Sequence, residues 1–181
     1  QELINKHVGE ELEIKYILDL RDFPDSPFND KVVHDFNVIL SDEEISIVVE
    51  AMGGSHPAYD FSKAALLAGK NVVTSNKEVV ATFGTELLEI ARENGVRMIV
   101  CHVLRYTPFY RIVKKAVDDG LLGDIINIIH TEEVGNIHQS HSFVRGNWRR
   151  KDESAPMILA KSCHDTDLIQ WLLQEPCEKI Q

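Results

Sequence analysis

The sequence is poor in cysteine and in positive charge, and it contains no long hydrophobic run. Three scattered cysteines in 181 residues exclude a disulfide framework and a CxxC zinc site, which favours a reducing, cytoplasmic compartment. Nineteen basic against 29 acidic side chains give a net charge of -10, which argues against nucleic acid or an anionic membrane as a partner. No apolar stretch approaches the roughly 18 residues that a transmembrane helix needs. The 44% hydrophobic content is typical of a chain that folds around a core.

Strand-like and helix-like periodicities alternate along the first hundred residues. The apolar segments predict strands at 13–20, 45–50, 71–75 and 97–102. The amphipathic segments predict helices at 58–68 and from the Ser75-Asn76 cap to residue 94. The run ISIVVE at 45–50 is continuously apolar apart from its serine and terminal glutamate, which predicts a strand buried on both faces. Short links between such elements are typical of βαβ units, so an α/β fold with a parallel sheet is expected.

The pattern changes after His102. An amphipathic helix is predicted at 107–119, a strand at 123–133 and a further helix at about 156–174, with a polar loop rich in histidine and arginine before that helix. We therefore predict two domains, 1–121 and 122–181, with the boundary near Leu121.

Several residues follow the predicted strands in positions suited to a ligand. Gly53 and Gly54 follow ISIVVE, where ligands approach the carboxyl ends of parallel strands, although a tight turn is the simpler alternative. Lys77 lies in the first turn of a helix, where its charge is unfavourable, so it has a functional role or is a solvated surface lysine. Arg21 follows the first strand and either binds a phosphate on an adenosine ribose or is an exposed loop charge.

Histidines in the second half suggest two kinds of chemistry. His164 lies three residues before Asp167 on a predicted helix. A histidine with a carboxylate within reach of its ring is suited to act as a general base near neutral pH. The alternative is a core histidine held by Asp167. The group His130, His138 and His141 lacks an i,i+4 pair on a helix and carboxylates nearby in the pattern, so no metal site is expected.

Two stretches of the chain resemble two enzyme families. The segments IKYILDLRDFPDSPF, VVEAMGGSHPAYDF and AGKNVVTSNKEVVATFG, within about 12–94, resemble the nucleotide-binding domain of homoserine dehydrogenase. The segments CHVLRYTPFYRIVKKAVDDGLLGDIINI, HSFVRGNWR and PMILAKSCHDTDLIQWLL, within about 95–180, resemble the Gfo/Idh/MocA oxidoreductases of sugars and inositols. The join falls in the link at about 94–100, where both families have the same topology.

The resemblance implies a Rossmann-like domain with NADP or NAD as cofactor. It places Lys77 beside the nicotinamide and the reacting oxygen, and Arg21 at the adenosine ribose phosphate, which favours NADP. The cofactor-binding residues predicted in this way are Arg21, Gly53, Gly54, Ser75, Asn76 and Lys77. In the second family the histidine of the HDxD helix takes the substrate hydroxyl proton. The predicted catalytic residues are therefore His164, Lys77 and Asp167.

One motif of both families is missing. No GxGxxG occurs, and in both families it would precede residue 1. The resemblance therefore implies an incomplete doubly wound sheet, a first domain without its first βαβ turn, and a second domain that is only the beginning of an α+β substrate domain. The chain is expected to be truncated at both ends. In the strand order 3-2-1-4-5-6 the central strand would be absent, and the unpaired edge would favour a homo-oligomer.

Three functions remain open at this point. The first is an NAD(P)-dependent oxidoreductase that acts on a hydroxyl or carbonyl of a small sugar- or polyol-like substrate. The second is homoserine dehydrogenase, which interconverts aspartate semialdehyde and homoserine. The third is a non-catalytic fragment of a cofactor-binding domain.

Overall fold

The computed structural model describes residues 12–146, 148–150 and 157–179 and divides the chain into two compact units. The first unit ends at Val100 and the second begins at Cys101. The domain boundary predicted near Leu121 falls inside the second unit, and the domain assignment itself stays a prediction.

The first unit is an α/β structure built on parallel strands. Its strands are β1 (Ile17–Leu18), β2 (Val32–Val33), β3 (Ile47–Glu50), β4 (Asn71–Thr74) and β5 (Met98–Val100). Its helices are α1 (Phe36–Ser41), α2 (Ala58–Leu67) and α3 (Lys77–Glu93), with a 3-10 turn at Asn29–Lys31. All strand pairs are parallel, in a two-stranded sheet β1-β2 and a three-stranded sheet β3-β4-β5. The predicted α/β fold with βαβ units is confirmed.

The core of the first unit lies between the three-stranded sheet and its helices. The buried apolar side chains are Phe36, Ile39, Ala58, Ala65, Leu66, Val72, Val79, Leu87 and Ala91. They come from α1, α2, β4 and α3, so the middle strand β4 is covered by helices that return the chain between parallel strands. Each leucine buried in this way contributes about 1.5–3 kcal/mol relative to an exposed one.

Strand β3 differs from its prediction. Val49 is 70% exposed and Ile47 is 44% exposed, so the expectation of burial on both faces is wrong. In the part of the chain that the structure describes, β3 pairs with β4 alone, and β1-β2 forms a separate sheet. A strand with one neighbour and without a layer on each face stays partly open to solvent.

The second unit is helical in its described residues. It contains a 3-10 turn at Val103–Tyr106, helix α4 (Pro108–Asp118), a helical segment at 136–144 and helix α5 (Met157–Leu173). The two long helices agree with the predicted helices. Thr107 caps α4 by accepting a hydrogen bond from the backbone N–H of Tyr110, and a proline begins the helix.

The strand predicted at 123–133 is wrong. No strand forms there, and Ile126 and Ile129 are 91% and 88% exposed. A strand needs a neighbour to satisfy its backbone, and none of the described residues pairs with this segment. The helical segment at 136–144 also replaces part of the predicted polar loop.

In residues 12–146, 148–150 and 157–179 no helix combines the length and the apolar character that crossing a membrane requires.

Candidate functional site

The carboxyl ends of β3 and β4 lie side by side. Glu50, the last residue of β3, is in register with Thr74, the last residue of β4, and the N–H of Ser75 donates to the Glu50 carbonyl at 3.4 Å. The loop after β3 and the link from β4 to α3 therefore begin at the same edge of the sheet. This edge is where α/β sheets bind their ligands.

A buried carboxylate fixes both connections. The Glu50 side chain accepts a hydrogen bond from the Thr74 hydroxyl at 2.5 Å and another from the Met52 N–H at 2.6 Å. The Thr74 hydroxyl in turn accepts one from the Asn76 N–H at 2.9 Å. These bonds satisfy a charged group that would otherwise be costly to bury. Glu50 was not among the residues predicted from the sequence; its signal is a lone acidic residue at the end of an apolar strand.

Asn76 joins the glycine loop to helix α3. Its Oδ1 accepts from the Val79 N–H at 3.1 Å and so caps the helix, as predicted for the Ser75-Asn76 pair. Its Nδ2 donates to the Gly54 carbonyl at 2.7 Å and to the Met52 carbonyl at 3.3 Å. One buried side chain thus fixes the helix start and the glycine loop together.

The glycine loop leaves its backbone open. Gly54 has φ +77°, a conformation that favours glycine, and a Cβ at Gly53 would meet no atom within 4 Å. Ser75 and Lys77 flank the buried Asn76 and are exposed. The structure therefore places five of the six predicted cofactor-binding residues on two connections at one sheet edge.

Arg21, the sixth residue, follows β1 in the two-stranded sheet. Its guanidinium makes two hydrogen bonds of 3.0 Å to the Asp19 carboxylate and lies 5.2 Å from the ring centroid of Phe23. The hydrogen bonds from Arg21 lower the pKa of Asp19 to about 2. Arg21 is exposed, with a carboxylate already at its side.

In the second unit, Asp167 is the centre of a charged network. Its carboxylate accepts two hydrogen bonds from Arg105, at 2.7 and 2.5 Å, and lies 2.7 Å from Nδ1 of His102. Burial raises the pKa of Asp167, but the hydrogen bonds from Arg105 and the nearby His102 ring outweigh burial and hold this pKa below its usual value. The Arg105 guanidinium also lies 5.9 Å from the ring centroid of Trp171.

His164 lies on α5 beside this network. Its ring centroid is 6.1 Å from that of His102, with 64° between the two planes. Asp167 was predicted as the partner of His164, and the partners described for it are Arg105 and His102. Sequence analysis missed both of these residues. Their signal is the segment HVLRY, which begins two residues after the end of β5.

One of the three histidines considered for a metal, His130, lies close to two carboxylates. His130 Nε2 is 2.7 Å from the carboxylate of Asp165, and Glu132 lies close to both. The expectation that no carboxylates surround these histidines is therefore wrong for His130. Asp165 is 35 residues away along the chain, so the local pattern could not reveal it.

The sequence is similar to known proteins, first of all over its first hundred residues. Residues 3–101 match the family model of the homoserine dehydrogenase NAD-binding domain. Homoserine dehydrogenase from Synechocystis sp. is 33% identical over 97 residues, which is 53% of this chain and 22% of that protein. The scyllo-inositol 2-dehydrogenase (NADP(+)) of Bacillus subtilis is 34% identical over 138 residues, which is 75% of this chain and 35% of that protein.

A solved structure extends the comparison along the chain. The Bacillus subtilis protein yvaA, described as an oxidoreductase, has 28% identity and a TM-score of 0.63, and the match covers 91% of this chain and 46% of that one. The fold is thus of the Rossmann type found in oxidoreductases. The chain spans less than half the length of each of these relatives.

Proposed function

The chain belongs to the homoserine dehydrogenase NAD-binding domain family through residues 3–101, and from this premise we propose that it binds NADP and serves hydride transfer to or from a polyol-like hydroxyl. The observation that carries the proposal is the open glycine loop, which Asn76 ties to the helix that begins at Lys77. Family membership accounts for the nicotinamide cofactor. The similarity to an inositol dehydrogenase, which extends past residue 101, supports the polyol substrate.

The residues at the sheet edge fit the nicotinamide end of such a cofactor. Gly53 and Gly54 expose backbone without side chains, so a planar ring can approach them closely. A bound nicotinamide would supply the hydride acceptor. Lys77, exposed at the start of α3, would donate a hydrogen bond from its ammonium group to the reacting oxygen and orient the substrate. Ser75 offers a hydroxyl on the same exposed link.

Arg21 supports NADP over NAD. A guanidinium can donate paired hydrogen bonds to a ribose phosphate, and Arg21 already makes such a pair with Asp19. A phosphate would compete with Asp19 for the same fork of donors. Arg21→Ala should therefore weaken NADPH binding and leave NADH binding nearly unchanged. Equal losses for the two cofactors would remove this argument for NADP.

In the second unit we assign His164 the role of general base. The imidazole takes the proton of the substrate hydroxyl, while the carbon gives up a hydride with its electron pair and becomes a carbonyl carbon. Asp167 is a positioning residue, because its carboxylate holds Arg105 and His102, and His102 stacks edge-on against His164. His164→Ala should abolish turnover and leave cofactor binding intact. Unchanged turnover would end this assignment.

The cofactor site can be tested by titration of NADPH and NADH, followed by nucleotide fluorescence. A Cβ at Gly53 meets open space, so Gly53→Val should keep the fold and lower cofactor affinity at least tenfold by blocking the ring. Gly135→Val is the matched control, since Gly135 is equally open and lies in the second unit. Failure of the unmodified chain to bind either nucleotide would support a non-catalytic fragment instead.

Homoserine dehydrogenase is the second candidate, because the family model carries that name. Reduction of NADP and NAD should be measured with scyllo-inositol and with homoserine side by side. Turnover with homoserine and none with scyllo-inositol would support homoserine dehydrogenase activity instead of polyol oxidation. The cytoplasmic location and the homo-oligomer expected from the sequence stay predictions.

A further inference from the structure

Three metal-binding side chains converge in the second unit, and neither the cofactor proposal nor the proposed base uses them. They are His130 and Glu132, two residues apart before the helical segment at 136–144, and Asp165 on α5. Each offers one donor atom, and these three atoms all lie within 4.8 Å of one another. The segments that carry them are far apart in sequence, so the fold itself builds this group.

The group is asymmetric in its burial. The side chains of His130 and Asp165 are 21% and 14% exposed and lie 2.7 Å apart, whereas Glu132 is exposed. Two of the three donors, on His130 and Asp165, are thus largely buried, and the third, on Glu132, faces solvent. Three protein ligands with a side open to water are the arrangement of a metal site that keeps an exchangeable position.

We propose that His130, Glu132 and Asp165 bind a divalent transition-metal ion of the zinc type. Zinc takes imidazole nitrogen at about 2.0–2.1 Å and carboxylate oxygen at about 2.0–2.2 Å. Donors bonded to one ion at these lengths lie about 3–4 Å apart. The His130–Asp165 contact of 2.7 Å would therefore open slightly to admit the ion, and the three donor atoms already lie within 4.8 Å of one another. The imidazole selects against magnesium and calcium, which prefer oxygen ligands alone.

The alternative is that His130 and Asp165 form an ordinary ion pair and Glu132 is a solvated surface charge. The two descriptions differ in the role of Glu132. Glu132→Gln keeps the His130–Asp165 contact and the shape of the side chain but removes a charged ligand. Only a metal site predicts that this variant loses affinity for an ion.

The experiment uses the full chain, titrated with Zn²⁺ by calorimetry and with Co²⁺ by visible absorption. We expect one equivalent of tightly bound Zn²⁺, displacement of Co²⁺ by Zn²⁺, and no displacement by a hundredfold excess of Mg²⁺. His130→Ala, Asp165→Asn and Glu132→Gln should each weaken Zn²⁺ binding at least tenfold. His138→Ala is the matched control, because His138 is exposed and outside the group, and it should bind as the unmodified chain does.

Two results would overturn the proposal. One is the absence of a stoichiometric Zn²⁺ complex in the unmodified chain. The other is binding that is unchanged in Asp165→Asn and Glu132→Gln, since any ion would then be held by other histidines or by cysteines. Circular dichroism checks that each variant is folded. If His130→Ala fails to fold, the two isosteric variants still decide the question.

Discussion

The two units of the chain are stabilised by different interactions. Nine of the ten buried apolar side chains in the described residues lie in the first unit, and Leu168 is the one in the second. The second unit instead has a charged network in which Asp167 holds Arg105 and His102. Burial of apolar surface is insensitive to pH, whereas a carboxylate network depends on its protonation state. The two units should therefore respond to different perturbations.

The largest effect is expected in the apolar core of the first unit. Leu87 on α3 is fully buried, so Leu87→Ala should lower the free energy of unfolding by about 2–5 kcal/mol through lost burial and a cavity. Urea unfolding followed by circular dichroism measures this change. Leu88→Ala is the matched control, since Leu88 is the next residue and is largely exposed. Equal losses for the two leucines would contradict the burial of Leu87 in the core of the first unit.

A smaller effect, with a specific pH dependence, is expected in the second unit. The pKa of Asp167 in the folded chain is below its unfolded value of about 3.9, so its stabilisation is complete above that value and is lost as pH falls through the lowered folded pKa. Asp167→Asn should cost about 1–2 kcal/mol at pH 7 and flatten the loss of stability below about pH 4.

Tryptophan fluorescence reports this second change selectively. Both tryptophans of the chain, Trp148 and Trp171, lie in the second unit. Asp119→Asn serves as the control, because Asp119 forms an exposed pair with Lys115 on the end of α4. An acid transition that is the same in Asp167→Asn and in the unmodified chain would show that the network does not control the stability of this unit.

The smallest effect on stability is expected for the buried polar side chain of Asn76 in the first unit. Asn76→Ala removes the cap of α3 and should cost about 1 kcal/mol in urea unfolding. It also releases the Gly54 carbonyl, so hydrogen exchange at residues 51–55 should become faster. Asn94→Ala at the other end of α3 is the control and should leave that loop unchanged. Unchanged exchange in Asn76→Ala would show that other contacts hold the glycine loop.

The fold of the first unit could largely be predicted because its signals are local. Hydrophobic periodicity located β3, β4, β5, α2 and α3, with ends that differ by a few residues. The two-residue strand β2 and the short helix α1 were missed, since segments of two and six residues carry little periodicity. The strand predicted at 123–133 failed because strand formation depends on a distant partner that the local sequence does not specify.

In the candidate site, too, positions set by local sequence could be predicted and contacts between distant residues could not. Parallel strands end at one edge, so the positions of Gly53, Gly54 and Lys77 could be predicted from the strands alone. The polar contacts that fix the edge could not be predicted, because Glu50 and Thr74 are 24 residues apart and Arg105 and Asp167 are 62 apart. A hydrogen bond between such positions depends on the register of the sheet or the packing of helices.

The hydrogen bond between Glu50 and Thr74 also favours the observed register of β3 along β4. A slip of β3 by one residue along β4 would turn the Glu50 side chain to the opposite face and bring Val49 into its place. The Thr74 hydroxyl and the Met52 N–H would then lose their acceptor, and the glycine loop would lose its anchor. A misaligned sheet therefore cannot keep these hydrogen bonds, so the register of β3 on β4 and the conformation of the glycine loop depend on each other.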